Sequence, residues 1–456
     1  MSQKLEEKEE ESLSDSSSEE SDSDSNNSSS EESDSDSNNS SSEKSDNETT
    51  ELKNCIDITI NDKKILTFVD LFCGIGGFHI ALNSIGLKCV FSSDIDEKCR
   101  NTYYENFGIK PYGDIRNVSE NMIPDFDVLC GGFPCQSFSH SGKQKGFDDI
   151  TRGTLFFEIC RFLKLKNPKY FILENVKNLK THDKGKTWKI IYKNLIELGY
   201  QTHEDPIVLS PHHFGIPQHR ERVFIVGVRN DIGILPIIPP IIHKKEISIY
   251  KILQDEKEID SNLLKKIKLK KNEIECLNIW DNFIQHFKIK LTKIPGFPLW
   301  ADEWGKNYDI SDLPKWKINF INKNRLFYED NKDYIDKWLE NANTIELFIS
   351  SNSKRKIEWQ CGNFQENDSL WNLIFQFRPS GIRIKRPTYS PALVAMCQIV
   401  CIGKLKRILT PIEVSRLQCF PNNYKINNNI NQSYKQFGNS VNVDVVKYVA
   451  KILLNL

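Results

Sequence analysis

The sequence predicts an α/β protein with a largely parallel sheet, a smaller domain inserted into it, and a C-terminal return to the first domain. Three observations carry this expectation. Short apolar strands alternate with helical segments from residue 64 to residue 230; a glycine-rich turn follows the first strand; and the chemically informative residues fall at strand ends. In open α/β sheets that is where sites form.

"KILTFVDLF" (64–72) is a continuous apolar run of buried-strand type, and "GFHIALNSIG" after its glycines has a helical pattern. "CVFSSD" (89–94) is a second strand, with "IDEKCRNTYYENF" as its helix. "DFDVLCGG" and "YFILENV" are two more short strands, another lies near "YQTHEDPIVL", and "RVFIVGVRN" (222–230) closes the series. Prolines end the alternation at "ILPIIPPIIHKK", and the region that follows, to residue 380, is rich in Lys, Asn and Trp without a clean period. Helical patterning returns at "KRILTPIEVSRLQCFP" (406–421) and "KQFGNSVNVDVVKYVAKILLNL" (435–456). The predicted units are a tail over 1–54, a core over 64–234, an inserted domain over 235–400 and the return over 401–456.

Charge divides the chain. Residues 1–50 hold 17 Asp/Glu and 3 Lys, whereas the remainder holds 58 Lys/Arg and 45 Asp/Glu. In the acidic part "EESDSDSNNSSS" occurs twice in succession, at 19–30 and 31–42. With almost nothing apolar to bury, that segment is predicted to be a disordered, self-repelling tail whose serines are open to phosphorylation. The basic body suits a polyanion such as nucleic acid. The 12 cysteines include no CxxC pair and no Cys/His group at zinc spacing, so they read as intracellular thiols and no metal is expected. The acidic N-terminus is not a signal peptide, and no run of about 18 apolar residues suggests a membrane span. An intracellular, soluble protein is expected.

Four segments carry chemistry. In "DLFCGIGGF" (70–78) a strand runs into Gly74, Gly76 and Gly77 before a helix, a turn that lets backbone approach a nucleotide, though such glycines also serve packing. Twenty residues after Gly74, Asp94 ends the second strand, where a carboxylate can hold ribose hydroxyls. The spacing departs from G-x-G-x-x-G, which favours a ligand without pyrophosphate. In "GGFPCQSFSHSGKQKGF" (131–147) Pro134 restricts the backbone before Cys135, and Gln136 follows it. A single cysteine is usually a small buried hydrophobe, but this one lies at a strand's carboxyl end, where a thiolate could attack. Glu174 and Asn175 of "FILENVKNL" (171–179) follow an apolar strand, and "GIPQHRERVFIVG" (215–227) offers Gln218, Arg220 and Arg222. A carboxylate there can act as an acid, and the arginines can clamp phosphate or a carbonyl oxygen.

In this order, these segments, with "RGTLFFEI", "LTPIEVSRLQCFP" and "KQFGNSV", resemble the ordered blocks of the DNA (cytosine-5)-methyltransferases, over most of 64–231 and again at 405–450. The resemblance implies a Rossmann-like, S-adenosylmethionine-dependent methyltransferase core with an inserted target-recognition domain. It makes Cys135 the nucleophile for carbon 6 of a cytosine flipped from duplex DNA. It gives Glu174 the ring nitrogen and exocyclic amine, Arg222 the carbonyl oxygen, and Arg220 an organising role. It implies that Phe72, Asp114 and Ile115 address the adenine, Asp94 the ribose, Gly74, Gly76 and Gly77 the methionine end, with Leu155 and Asn439 completing the pocket. The departures are Ile95, where an aromatic residue is common, Cys419, where glycine is usual, and Cys73, at a small-residue position.

The resemblance places target recognition between residues 235 and 400, a region holding seven of the eight tryptophans. Core packing is the commoner use of such aromatics. The basic stretches "NLLKKIKLKKNE" and "SNSKRKIEW" suit phosphates or mere solubility. Arg378, Arg383 and Arg386 of "FRPSGIRIKRPTYSPALV" (377–394), in a loop-like setting, suit guanine. Ser139 and Lys143, in a loop that could close over DNA, are further candidate contacts. The expected partner is double-stranded DNA, with a cognate restriction endonuclease as a second candidate and a monomer as the expected state. An RNA-modifying relative and a silent DNA-binding relative are the alternatives.

Overall fold

The computed structural model describes residues 65–134, 155–241, 246–393 and 398–456. Its first sheet has seven strands: β1 (Thr67–Leu71), β2 (Lys88–Ser93), β3 (Val128–Gly132), β4 (Tyr170–Val176), β5 (Tyr200–Thr202), β6 (Ile207–Leu209) and β7 (Arg222–Arg229), in the order β2-β1-β3-β4-β7-β5 with β6 also on β7. β1 to β4 run parallel, while β7 is antiparallel to β4, β5 and β6. The sheet is therefore largely parallel, with β7 reversed. The single strand expected near "YQTHEDPIVL" is two, because its "HEDP" turn breaks the pairing before Ile207.

Successive strand residues face opposite sides of a sheet, and here both sides are apolar. Phe68, Val128, Cys130, Ile172, Phe224 and Val226 join one core; Val69, Leu71, Leu129, Phe171, Leu173, Val223 and Ile225 join the other. The first core is covered by α1 (Gly77–Asn83) and by the return helices, and the second by helices from the middle of the core region. Those middle helices are α3 (Leu155–Lys166) and α4 (Lys186–Glu197), and α2 (Glu97–Phe107) connects β2 to β3. This gives three layers, with the parallel strands buried on both faces as their continuous apolar runs require.

A second sheet holds β8 (Leu299–Trp300), β9 (Lys356–Gln360), β10 (Ile374–Arg378), β11 (Gly381–Lys385), β12 (Cys401–Ile402) and β13 (Arg407–Ile408), in the order β13-β12-β10-β11-β9-β8. Five helices accompany it: α5 (Ser261–Ile267), α6 (Lys271–Lys290), α7 (Lys315–Asp330), α8 (Lys332–Ala342) and α9 (Glu346–Ser350). Trp280, Trp304, Trp338 and Trp359 are buried in its core, and Trp316 is exposed. Ile374 and Ile402 of this sheet pack instead into the first sheet's core, so the two sheets share apolar contacts.

The return comprises α10 (Pro411–Leu417), α11 (Ile430–Asn439) and α12 (Val443–Leu453). Helix does not begin at Lys406, as the pattern suggested: Arg407–Ile408 is a strand, and α10 starts at Pro411 behind a Thr410/Glu413 capping box. Glu413 also takes Arg407 Nη2 at 2.7 Å and Nη1 at 2.9 Å, both side chains being fully buried, and accepts from the Gln254 amide at 2.9 Å. Removing one partner of such a pair leaves a buried, uncompensated charge. Glu413→Ala is expected to lower unfolding free energy by about 3–5 kcal/mol, read from urea denaturation; an unchanged midpoint would show that the pair is not a brace.

Candidate active site

The glycine turn sits at the carboxyl end of β1. Phe72 enters it with φ 56°, a left-handed conformation that is unusual for a bulky residue, and Gly74 follows at φ 53°. A side-chain carbon added at Gly74 would meet open space, whereas one at Gly76 would strike Phe107 at 2.3 Å and one at Gly77 would strike Val441 at 2.7 Å. Of the three predicted glycines, Gly74 opens onto space, and the bareness of Gly76 and Gly77 serves helix packing. Asp94 accepts from the Gly74 amide and from the Asp96 amide, each at 2.8 Å. Burial raises its pKa, and those two amides oppose the rise. The Asp94 carboxylate is thus tied directly to the glycine turn, with lone pairs left for hydroxyl donors.

The sequence reading missed Asp70. It is fully buried, and its Oδ2 has no hydrogen-bond partner among the described residues. Burial, with Asp94 adding to it, raises its pKa well above the usual carboxylate range. Its other oxygen takes the Cys130 thiol at 3.8 Å, and a buried carboxyl with one oxygen unpartnered is costly unless it holds a proton or meets a cation. It lies inside an apolar strand, where alternation alone makes it look like an accident.

The other expected ligand residues are less uniform. Ile115 is buried in the second core. Asp114 caps the short turn Ile115–Asn117 and pairs with Arg116, which lowers its pKa. Leu155 begins α3 and is half-buried, and Asn439 is exposed at the end of α11. Ile95 is 70 % exposed, so no aromatic side chain covers that edge. Cys73 is buried behind the turn. Cys419 has φ 58°, which explains why glycine suits that position.

The second half of the site lies where β4 ends and β7 begins. Because β7 is reversed, Val176 pairs with Arg222 and Glu174 with Phe224, which brings a strand-end acid beside a strand-start base. Arg222 Nε lies 3.0 Å from Glu174 Oε1. Burial raises the Glu174 pKa, opposed by Arg222 and then Arg220. A small cleft beside the pair is lined by Glu174, Arg220, Arg222, Phe224, Val441 and Asn442. Gly132 comes within 3.3 Å of Glu174 at the position a side chain would occupy, so its bareness makes room for the carboxylate.

Arg220 is buried and acts as a clamp. Its Nη1 donates to Leu393 O at 2.8 Å, and its Nη2 donates to Gly438 O at 3.0 Å and Ser440 O at 2.9 Å. Gln218, also fully buried, leaves both ends of its amide without a partner among the described residues. Asn175 Nδ2 donates to Phe133 O at 2.9 Å and so holds the chain at the residue before Pro134. Pro134 itself is exposed. Cys135, Gln136, Ser139 and Lys143 lie outside the described residues.

Arg378 and Arg383 are not in a loop, whereas Arg386 lies just past the strand. The first two belong to the β10–β11 hairpin, whose period-two pattern was masked by its "RPSG" turn, and the third follows it. Arg383 pairs with Glu358 at 2.9 and 3.1 Å, and Arg378 lies 3.9 Å from the same carboxylate. Arg386 is held on Asp368 and on the carbonyls of Cys361 and Asn363. Among the described residues no group of three His, Cys, Asp or Glu side chains could hold a metal ion, and no helix is long and apolar enough to cross a membrane.

Together, fold and site define a methyltransferase of Rossmann-like architecture. The family model described as C-5 cytosine-specific DNA methylase matches residues 66–455, and the chain belongs to that family. It is a DNA (cytosine-5)-methyltransferase. It is 34% identical over 395 residues to the type II methyltransferase M.HhaI of Haemophilus parahaemolyticus, covering 86% of this chain and 96% of that protein. With the type II methyltransferase M.BanI of Aneurinibacillus aneurinilyticus, identity is 34% over 427 residues, covering 85% and 95%. The fold is shared with a solved E. coli prophage protein assigned as a DNA modification methyltransferase, at TM-score 0.50 and 19% identity, covering 86% of this chain and 99% of that one.

Proposed function

We propose that this enzyme transfers the methyl group of S-adenosylmethionine to carbon 5 of a cytosine extruded from duplex DNA, through a covalent adduct with Cys135. The observation that carries the reading is the buried Glu174–Arg222 pair at the sheet edge, beside the strand that leads to Pro134 and Cys135. When bound, S-adenosylmethionine supplies an electrophilic methyl group. The partnerless buried oxygen of Asp70 suits its positive charge, Gly74 leaves room for close approach, and Asp94 can take ribose hydroxyls.

The Cys135 thiolate adds to carbon 6 of the ring. Glu174, whose pKa burial raises, donates a proton to ring nitrogen 3 and accepts from the exocyclic amine, while Arg222 donates to the carbonyl oxygen. Electron density moves to carbon 5, which takes the methyl group from the sulfonium sulfur; the electron pair of the broken carbon–sulfur bond stays on that sulfur, leaving S-adenosylhomocysteine. A base then removes the carbon-5 proton, and the Cys135 thiolate leaves as the ring double bond reforms. The cytosine has to leave the stack because carbon 6 is not reachable within it.

Residues 235–400 serve as the recognition domain in this reading, with Arg378 and Arg383 as base-reading candidates that exchange Glu358 for guanine. Arg386, already held by one carboxylate and two carbonyls, is better suited to bracing that segment. The type II relatives support a role opposite a restriction endonuclease of the same site.

The test is transfer of labelled methyl to unmethylated duplex DNA and to transfer RNA, with bisulfite sequencing of the DNA. Label at one recurring cytosine context is expected. Label on RNA alone, or on neither, overturns the reading.

A further inference from the structure

Beyond the catalytic groups, one assembly joins the recognition hairpin to the site. After β11 the chain runs through Tyr389, Ser390 and Leu393, and each meets the segment that ends in Arg220 and Arg222. The Ser390 amide donates to Pro217 O and the His219 amide donates to Ser390 O, both at 2.8 Å, and Ser390 is fully buried. Leu393 O receives Arg220 Nη1. Beside this backbone link lies a cluster of three rings. The His212 ring is 4.9 Å from His219 at 28° and 5.7 Å from Tyr389 at 26°; His219 and Tyr389 are 5.8 Å apart. His212 Nδ1 then meets Ser210 Oγ at 2.8 Å, and the same hydroxyl oxygen accepts from the Arg220 amide at 2.9 Å.

We propose that Tyr389 is a positioning residue for methyl transfer, setting Arg220, and through it the Arg222–Glu174 pair, by way of the His212 ring and the Ser210 hydroxyl. Two geometric facts support this. Ser210 is fully buried and its oxygen has few ways to satisfy itself, so a shift of His212 must move the Arg220 backbone or break a bond. Arg220 in turn bridges the chain after β11 at Leu393 and the return segment at Gly438 and Ser440, so its displacement cannot be absorbed locally. DNA engaged by the β10–β11 hairpin therefore pulls on the base-binding pair through a short, continuous path. The recognition domain participates in the chemical step as well as in choosing the target. This inference rests on the cytosine-methylating reading above.

The test is steady-state transfer of labelled methyl to plasmid duplex DNA, separating kcat from KM for DNA and for S-adenosylmethionine. Tyr389→Leu and Ser210→Ala are each expected to lower kcat about ten-fold with both KM values nearly unchanged, and the double variant to be no slower than the slower single one, as for residues in one path. Tyr389→Phe, which keeps the ring, is expected to restore wild-type kcat. A wild-type kcat for Tyr389→Leu, a change confined to KM for DNA, or multiplicative losses in the double variant overturn the proposal. Should Tyr389→Leu not fold, His212→Asn asks the same question, since its amide can keep the Ser210 bond without the ring; wild-type kcat there overturns it equally. A wild-type enzyme that leaves duplex DNA unmethylated defeats the underlying reading, whereas active wild type with unaltered variants defeats the coupling alone.

Discussion

The Cys135→Ala enzyme is expected to transfer no detectable methyl group to DNA while binding S-adenosylmethionine as the wild type does. Carbon 5 of cytosine is a poor nucleophile until carbon 6 carries a new bond, and an alanine methyl cannot form one. Loss of a covalent nucleophile costs on the order of 10⁴-fold or more in turnover. The side chains proposed to meet the cofactor, Asp70 and Asp94, come from β1 and from the end of β2, so they do not depend on the thiol. Labelled-methyl transfer and calorimetric titration with the cofactor read the two properties separately. Residual turnover near wild type would exclude the covalent route.

Glu174→Gln is expected to reduce kcat by about 10²- to 10⁴-fold, the range for a positioned general acid. The amide keeps the shape of the carboxyl group and can still bond the base, but it has no acidic proton for ring nitrogen 3. The wild type has a pH signature. Burial raises the Glu174 pKa, so the protonated, competent form persists to higher pH than in a free carboxylate and is lost as pH rises through the raised value. Arg222 opposes that rise; Arg222→Met therefore moves this alkaline limb of kcat to higher pH, besides lowering its height. A pH–rate profile whose alkaline limb shifts downward in Arg222→Met would contradict the role assigned to Glu174.

Much of the first sheet was legible because its strands are buried on both faces and stand out as apolar runs between turns. The direction of β7 was not legible: "RVFIVGV" has the same apolar character whichever way it runs. Yet the reversal is what sets Arg222 against Glu174. The second sheet was obscured because its strands carry Arg, Lys, Glu and Gln on alternate positions, a composition that reads as loop when no partner strand is known. The ordered motifs identified the family. Asn175 and Ser210 went unremarked or unweighted because their importance lies in partners, and Asp70 because its burial is set by neighbouring strands. Asn175 grips a carbonyl 42 residues away, and Arg220 reaches one 173 residues away. Pairings at that separation have no local pattern.

The manner in which residues 390–393 are anchored bears on how such enzymes can be recombined. In the proposed reading, the end of the recognition region is seated on the rest of the enzyme by both backbone bonds of Ser390, at Pro217 and His219, and by Arg220 at Leu393 O. A chimera that exchanges recognition regions to obtain a new target should therefore place its downstream junction before Ser390, within or just after the β10–β11 hairpin. A junction drawn later would import a foreign anchor strand and mismatch it to the resident clamp. The natural seam for exchange lies inside the recognition region, several residues short of where the sequence makes it appear to end.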